Sequence, residues 1–198
     1  MKNFFEAVRD RRSIYNLSKE SPISDALLQE MISMAVKHAP SAYNSQSARV
    51  VLLLKGHHDR FWNMVEDVLR KKVSPEKFQK TEEKIGSFRN GYGTILFFED
   101  QEVVEELQHK FPRYAERFAQ WSQHSSGMLQ FILWAGLEGE GFGASLQHYS
   151  NLVEEDVKKE WSLPQKWHLL AQMPFGTPTK EPEVKEFEPL DKRIKIFG

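Results

Sequence analysis

The chain has 198 residues, and its 27 basic and 28 acidic side chains give a formal net charge of −1. This balance provides no general attraction to nucleic acid or to acidic membranes, so any anion site has to be a local feature. Cysteine is absent, which excludes disulfides, thiolate metal sites and cysteine nucleophiles, and the 40% hydrophobic content predicts one domain with a substantial core.

Apolar spacing predicts two helices at the start of the chain. Phe4, Phe5 and Val8 recur at helical spacing and indicate a short helix that ends near Ser13. A clearer helix follows in "ISDALLQEMISMAVKHAPS", where a serine can cap the first turn and a proline stops the helix. The N-cap is Ser24, the apolar stripe is Leu28, Met31, Ile32 and Ala35, and the stop is Pro40.

Two buried strands are predicted in the middle of the chain, with charged segments around them. The apolar run Val50–Leu54 indicates a strand buried on both faces. A charged helical stretch, 59–72, and a second charged segment, 75–87, lead to the second buried strand at 94–98. Residues 102–120 are polar and helical, with an interruption at the proline in position 112.

The last third of the chain begins with the stretch "HSSGMLQFILWAGLEGEGFG", which has almost no polar face. A helix that is apolar all round is buried, and in a chain of this size this favours a subunit interface. A short strand or turn ("GASLQHY"), a surface helix ("LVEEDVKKEWSL") and an apolar strand (167–173) follow. From about residue 177 the chain is an extended arm, although "RIKIF" alternates like an edge strand. Strands separated by helices predict an α+β or α/β domain spanning 1–198.

Two segments are candidates for binding chemistry. "RDRRS" places Arg9, Arg11 and Arg12 beside Ser13, and guanidinium forks with a hydroxyl match a phosphate; the alternative is a solvated basic turn. "SAYNSQS" (41–47) is a polar loop between a helix and a buried strand, and it either reads the polar edge of a ligand or is only a connector.

Other kinds of site are poorly supported. His57 and His58 are adjacent and would face opposite sides of a strand, and no HxxxH or HxH pattern occurs, so no metal site is expected. No GxSxG or GxxxxGK[ST] occurs. "GEGFGAS" follows a helix and not a strand, so it fails the context of a dinucleotide fingerprint, and Gly143 is expected to cap that helix.

The order of these pieces resembles the nitroreductase family of FMN-dependent oxidoreductases. The resemblance rests on "RRS" after the first helix, on "APSAYNSQSARVVLLL", on "GMLQFILWAGLEGEGFGASLQHY" and on the closing "PLDKRIKIFG". "YGTILFFED", "SLQHY" and "DKRIKIF" are similar to a small subgroup with Frm2-type and CinD-type proteins. The resemblance to the family implies an α+β, three-layer fold with a mostly antiparallel central sheet wrapped by helices, and a long buried helix at a homodimer interface.

The resemblance also implies FMN at the subunit interface and assigns residues to it. Arg11, Arg12 and Ser13 match positions that bind the phosphate and ribityl chain. Ser41, Asn44 and Gln46 match the segment that reaches FMN from the partner subunit. The stretch against the isoalloxazine is matched by Leu146, Gln147 and His148. The candidate second phosphate ligand is Arg193, or alternatively Lys185, in the arm that extends onto the partner.

Two positions depart from the family pattern. Many members place a lysine or arginine near flavin N1 and O2, where this chain has Tyr15; Arg89 or Lys84 could supply that cation instead. The usual "QPW" is "QSA" here (46–48), which would shape the pocket differently.

The implied activity is ping-pong transfer of hydride from NADH or NADPH through flavin N5 to nitroaromatic or quinone-type acceptors, with no catalytic side chain. The alternatives are a non-catalytic or regulatory flavin-binding protein, and a stress-response flavin reductase with peroxide or lipid-derived acceptors. The start of the chain is charged and is not a signal peptide, and no apolar run approaches about eighteen residues. A cytoplasmic enzyme without a membrane or nucleic-acid partner is therefore expected.

Overall fold

The structure is a computed structural model that describes residues 2–198. Within that range the chain forms seven α-helices and five β-strands. The helices are α1 (Phe4–Asp10), α2 (Asp25–His38), α3 (Gly56–Lys72), α4 (Pro75–Arg89), α5 (Gln101–Lys110), α6 (Ala115–Gly139) and α7 (Ser150–Glu160). The strands are β1 (Leu17–Ser18), β2 (Ala48–Leu54), β3 (Gly93–Asp100), β4 (Gly143–Ala144) and β5 (Trp167–Pro178).

All five strands belong to one sheet with the order β1-β5-β3-β2, and β4 also pairs with β5. Every pair of strands is antiparallel, so the fold class is α+β and not α/β. Every residue of the central strand β3 is buried, as its apolar run predicts. The prediction that β2 is buried on both faces is wrong: β2 is the last strand of the sheet, and only Leu53 in it is fully buried.

Helices cover both faces of the sheet and give three layers. Alternate residues of β3 point to opposite faces, because side chains alternate along a strand. Ile95 and Phe97 pack with α2 and α6, whereas Leu96 and Phe98 pack with α3, α4 and α7. The three-layer fold and its antiparallel sheet are thus confirmed. None of the helices in residues 2–198 is both long and apolar enough to cross a bilayer.

The second helix forms as its sequence predicts. The Ser24 side chain accepts a hydrogen bond from the backbone N–H of Leu27 at 3.3 Å and so caps α2. Its buried residues, Leu28, Ile32 and Ala35, recur at helical spacing. The helix ends at His38, two residues before the proline that was expected to stop it.

The apolar helix is longer and less buried than its sequence predicts. A 3₁₀ turn at Pro112–Tyr114 breaks the preceding helix, and α6 then runs unbroken for 25 residues. Met128 and Phe131 are 40% and 38% exposed, so the expected burial on all sides does not occur within one chain. The expected cap at Gly143 is also wrong: Gly143 lies in β4, and Gly141, with a φ of +89°, follows the helix end.

Two other local predictions are wrong. The helix α3 begins at Gly56, so the paired histidines lie on a helical turn and not on a strand. The stretch "RIKIF" forms no strand; a 3₁₀ turn at Leu190–Lys192 precedes it. The sheet also extends into the predicted arm, because β5 continues to Pro178.

Candidate functional site

The arginine-rich turn lies directly beside β4. The helix α1 ends at Asp10, and the backbone N–H of Ile14 donates to the carbonyl of Ala144 at 2.9 Å. Ser13 and Ala144 form a parallel bridge. A side chain at Gly143 would meet Ile14 at 2.8 Å, so glycine is required for this close approach. The arginine turn therefore lies against β4, and the segment 146–148 follows directly after β4 in the chain.

The three arginines differ in their surroundings. Arg9 is 72% exposed at its side chain and pairs with Asp10 at 2.8 Å, which is the solvated alternative. Arg11 lies over the ring of Trp134, with its Cζ 4.2 Å from the ring centroid. Its Nε is buried without a hydrogen-bond partner in residues 2–198. Burial lowers the pKa of the Arg11 guanidinium, and the neighbouring charge of Arg12 lowers it further.

An unpaired charge in such a place favours a bound anion. Within residues 2–198, neither Arg11 nor Arg12 forms an ion pair with a carboxylate. The nearby Glu138 carboxylate raises the pKa of Arg11, but it is the smallest of the three causes and forms no direct ion pair with Arg11. A half-buried guanidinium without a direct ion pair is costly, and an anion with several oxygens would satisfy it with short, charge-assisted hydrogen bonds. The segment 11–12 is therefore suited to a phosphate.

A cavity of about 300 Å³ opens beside this turn. It is lined by Arg12, Ser13, Ile14, Tyr15, Asn16, Lys180, Glu181, Pro182 and Glu183. A second cavity of about 510 Å³ shares Arg12 and Lys180 with it. Lys180 was missed by the sequence reasoning. The signal for it is the end of β5: the N–H of Thr179 donates to the carbonyl of Asn16 at 2.9 Å, which fixes the next residue near the arginines.

The segment 146–148 presents backbone donors at the sheet edge. Gln147 exchanges two hydrogen bonds with Gln172, at 2.7 and 2.9 Å, and its buried amide donates to Ser145 Oγ at 3.0 Å. Since backbone groups alternate in direction along an extended chain, the N–H groups of Leu146 and His148 point away from β5. The His148 side chain itself is exposed. Two N–H donors are thus available to a ligand lying along this edge.

Tyr15 and Tyr149 both pack on one aromatic ring near this edge. The Phe88 ring centroid is 5.9 Å from that of Tyr15 and 6.5 Å from that of Tyr149. Burial raises the pKa of the Tyr149 phenol, and the proximity of Tyr15 raises it further. Tyr149 ends the "SLQHY" segment but is not among the residues assigned to FMN from the sequence, and the structure places it in the same part of the molecule as Tyr15.

The two candidate cations near Tyr15 are not equivalent. Arg89 is bound to the carboxylate of Glu66 at 2.8 Å, and it also donates to Asn63. Lys84 makes no ion pair within residues 2–198, and its Nζ is 5.9 Å from the Phe88 ring centroid. The structure therefore leaves Lys84 as the cation available near Tyr15.

The loop 41–47 has an unusual backbone. Tyr43, Asn44 and Gln46 have positive φ values of 56°, 52° and 49°, which side-chain-bearing residues rarely adopt. The N–H of Gln46 donates to Ser41 Oγ at 3.0 Å, and its carbonyl accepts from Arg49 at 2.7 Å. Such strain is kept only where the surroundings enforce it, and it marks the loop as a candidate functional segment.

This loop lines a different cavity from the arginine turn. A cavity of about 590 Å³ between α2 and β2 includes Ser41 and Gln46 in its walls, but not Asn44, which is exposed. It shares no lining residue with the cavities at Arg12. Within one chain, the structure thus brings 11–15 and 146–148 together and leaves the loop 41–47 apart from them.

The two tail candidates also lie apart from the arginine turn. The Nζ of Lys185 is 5.3 Å from the Phe187 ring centroid, and Arg193 is exposed after the 3₁₀ turn of the arm. Neither residue lines the cavities at Arg12. In the part of the chain that the structure describes, no cluster of three or more histidine, aspartate and glutamate side chains could hold a metal ion.

The chain matches one protein-family model over most of its length. Residues 8–177 match the model described as the nitroreductase family. The nitroreductase FRM2 of Saccharomyces cerevisiae is 32% identical over 187 residues, which cover 93% of each chain.

Solved structures share both the fold and the length of this chain. The nitroreductase CinD from Lactococcus lactis, in complex with chloramphenicol, has a TM-score of 0.90 and 35% identity and covers 99% of this chain and 100% of its own. CinD is also known in complex with 4-nitrophenol. A putative nitroreductase from Desulfovibrio desulfuricans in complex with FMN covers 100% of both chains with a TM-score of 0.72, and at 19% identity it shows the fold alone.

Proposed function

This chain belongs to the nitroreductase family, and from that premise we propose that it is an FMN-dependent oxidoreductase that uses NADH or NADPH to reduce nitroaromatic or quinone-type acceptors. The observation that carries the proposal is the half-buried, unpaired guanidinium of Arg11 beside Arg12 and Ser13. FMN complexes of proteins with this fold and the nitroaromatic ligands of CinD support it.

The residues around the arginine turn fit the phosphate end of FMN. At the cavities, Arg12 supplies a guanidinium fork, Ser13 a hydroxyl and Lys180 a point charge, beside the carboxylates of Glu181 and Glu183. Arg11 adjoins them in the chain and supplies a second fork. Arg9 lines the larger of these two cavities, but we assign it no phosphate contact because it already pairs with Asp10. The orphaned Nε of Arg11 is the atom whose burial a phosphate oxygen would compensate.

The segment 146–148 fits the polar edge of the flavin ring. The outward N–H groups of Leu146 and His148 can donate to ring nitrogen and oxygen atoms, while the bonds of Gln147 to Gln172 hold the segment straight. Bound here, FMN would supply the redox chemistry between a reduced nicotinamide and the acceptor. The chain's own part is to bind, orient and leave one face of the ring open, and no side chain is assigned an acid-base role.

We propose that the second half of the site comes from a second copy of the chain. The loop with Ser41, Asn44 and Gln46 lies apart from the arginine turn within one chain, so a homodimer is needed to complete the site. The arm would cross to that copy and bring Arg193 or Lys185 to the phosphate. The exposed apolar side chains of the arm and of α6 support this pairing. They are Met128, Phe131, Val184, Phe187, Leu190, Ile194, Ile196 and Phe197.

The proposal is tested on the purified protein. It is expected to show a visible flavin spectrum, to elute as a dimer and to be bleached anaerobically by NADH or NADPH. Addition of 4-nitrophenol or a quinone would then restore the oxidised spectrum, with ping-pong kinetics. Because reduced nicotinamides are available in the cytoplasm, we place the enzyme there, which fractionation of the source cells tests.

The acceptor and the alternatives are separated by the same assay. Reoxidation by a hydroperoxide or a lipid-derived acceptor, with nitroaromatics and quinones inactive, would indicate the stress-response activity instead. Bound FMN that neither nicotinamide reduces would indicate a non-catalytic flavin-binding protein. A colourless protein that takes up no added FMN would refute the whole proposal.

A further inference from the structure

Two phenols without partners lie beside the proposed flavin edge. Neither Tyr15 nor Tyr149 hydroxyl makes a hydrogen bond within residues 2–198, although Tyr149 is half-buried. The other tyrosine packed at a sheet edge, Tyr92, does have a partner, the carboxylate of Asp25. The Tyr149 ring is half-buried but its hydroxyl reaches the surface, so the hydroxyl is free to donate to a ligand that covers it.

The packing fixes both rings in direction. Tyr149 meets Trp62 edge-to-face at 6.0 Å and shares Phe88 with Tyr15. Phe88 and Trp62 are fully buried and contact each other at 4.8 Å, which makes the support rigid. The backbone N–H of Tyr149 donates to the side chain of Gln172 at 2.7 Å, the residue that also holds the segment 146–148.

Tyr15 is held near the same edge by the residue before it. It follows Ile14, whose N–H is bonded to Ala144, and it lines the cavity that contains Ser13 and Arg12. The two phenols therefore lie near each other beside the segment 146–148, and their proximity is one cause of the raised pKa of Tyr149, after burial. Because its pKa is raised by burial, the Tyr149 phenol is a neutral donor at neutral pH.

We propose that Tyr15 and Tyr149 act together as a neutral pair of hydrogen-bond donors to the polar edge of the bound flavin ring, at the position where a single cation would otherwise lie. The inference rests on the proposed function, since it assigns residues of that same site. A neutral pair stabilises negative charge on the ring, but less than a lysine or arginine there would. The unpaired Lys84 is the competing candidate for the same role.

The test measures FMN affinity and the midpoint potential of bound FMN, not turnover. A hydrogen bond to a charged group increases affinity about tenfold or more. Tyr15→Phe is therefore expected to weaken the binding of reduced FMN about tenfold relative to the binding of oxidised FMN. For a two-electron couple this lowers the potential by about 30 mV. Tyr149→Phe is expected to act in the same direction, and the double variant to lose less than the sum, because the phenols share one ligand edge.

Three further variants make the result decisive. Tyr15→Lys is expected to raise the potential, since it introduces the cation. Tyr114→Phe is the matched control, because the Tyr114 ring packs on Trp121, away from this edge, and it should leave both quantities unchanged. Lys84→Met should also leave the potential unchanged.

The outcomes separate this inference from the function on which it rests. A wild-type protein that binds no FMN overturns both. A wild-type protein that binds FMN, with Tyr15→Phe no different from Tyr114→Phe, overturns the phenol pair alone. A fall in potential in Lys84→Met with none in Tyr15→Phe also overturns it, and assigns the role to the lysine.

Discussion

Acid is expected to destabilise the protein through one buried histidine. His58 on α3 is fully buried, and burial is the main cause that lowers its pKa from 6.5 to about 4. Its Nδ1 is 2.8 Å from Thr94 Oγ1, which also accepts from Trp62 Nε1 at 2.9 Å. Its Nε2 is 3.2 Å from the Arg89 carbonyl. Nε2 donates, because a carbonyl oxygen only accepts. Burial keeps the ring neutral, so Nδ1 is assigned as the acceptor from the Thr94 hydroxyl.

The direction and size of the effect follow from the two pKa values. Because the unfolded chain binds the proton at the higher pH, the stabilisation is complete above pH 6.5 and is lost as the pH falls through 6.5 towards 4. The difference between 6.5 and about 4 corresponds to about 3 kcal/mol of unfolding free energy. This network also supports the site, since Trp62 packs on Phe88 and Tyr149.

Urea denaturation between pH 7.5 and 4 measures this loss. His58→Gln is expected to be less stable at pH 7 and to show a pH dependence flatter by about 3 kcal/mol across this window, since its side chain does not titrate. The neighbouring His57→Gln is the control: His57 is exposed, so the wild-type pH dependence should persist. An unchanged slope in His58→Gln would refute the assignment of a neutral, buried His58.

Three further changes test other parts of the account. Burial raises the pKa of Glu99 and outweighs the nearby Ser47 hydroxyl and Arg49, which lower it, so the charge of Glu99 costs stability as the pH rises. In urea denaturation, Glu99→Gln should be more stable than wild type at pH 7, and this gain should be absent near pH 4. Gly143→Ala forces a contact of 2.8 Å with Ile14 and should lower both Tm and FMN affinity, whereas Gly86→Ala, in open space on α4, should gain up to about 1 kcal/mol. Arg49→Met removes the hydrogen bond to the loop carbonyl of residue 46, so FMN binding measured by fluorescence should weaken without loss of secondary structure. The Glu99 assignment would be contradicted if Glu99→Gln were as stable as wild type at both pH values. The other two assignments would be contradicted if Gly143→Ala or Arg49→Met bound FMN as tightly as wild type.

The long elements of the fold could be predicted because periodicity and capping act locally. Ser24 caps α2 as its position suggests, and the apolar run of β3 is buried at every residue. The burial of β2 could not be predicted, because an edge strand and a central strand of a sheet can share the same apolar run. The two-residue strand β1 has no periodic signal at all.

The candidate site was predicted where it depends on local chemistry and missed where it depends on tertiary contacts. Arg11 and Ser13 stand out as a cluster in the sequence. Lys180 and Tyr149 do not, because only the pairing of β5 with its neighbours brings them to the turn. The end of α6 shows the same limit: three glycines lie close together in the sequence, and only the backbone shows that Gly141, not Gly143, adopts the positive φ.

The central claim is that Arg11 holds an anionic cofactor and that Arg9 does not. The most direct measurement is titration of FMN into apo-protein, followed by fluorescence quenching, for wild type, Arg11→Ala and Arg9→Ala. Loss of a hydrogen bond to a charged group predicts that Arg11→Ala binds FMN about 10- to 100-fold more weakly. Arg9→Ala should bind as wild type does, because Arg9 pairs with Asp10 at the surface. Equal affinities in all three proteins would contradict the account.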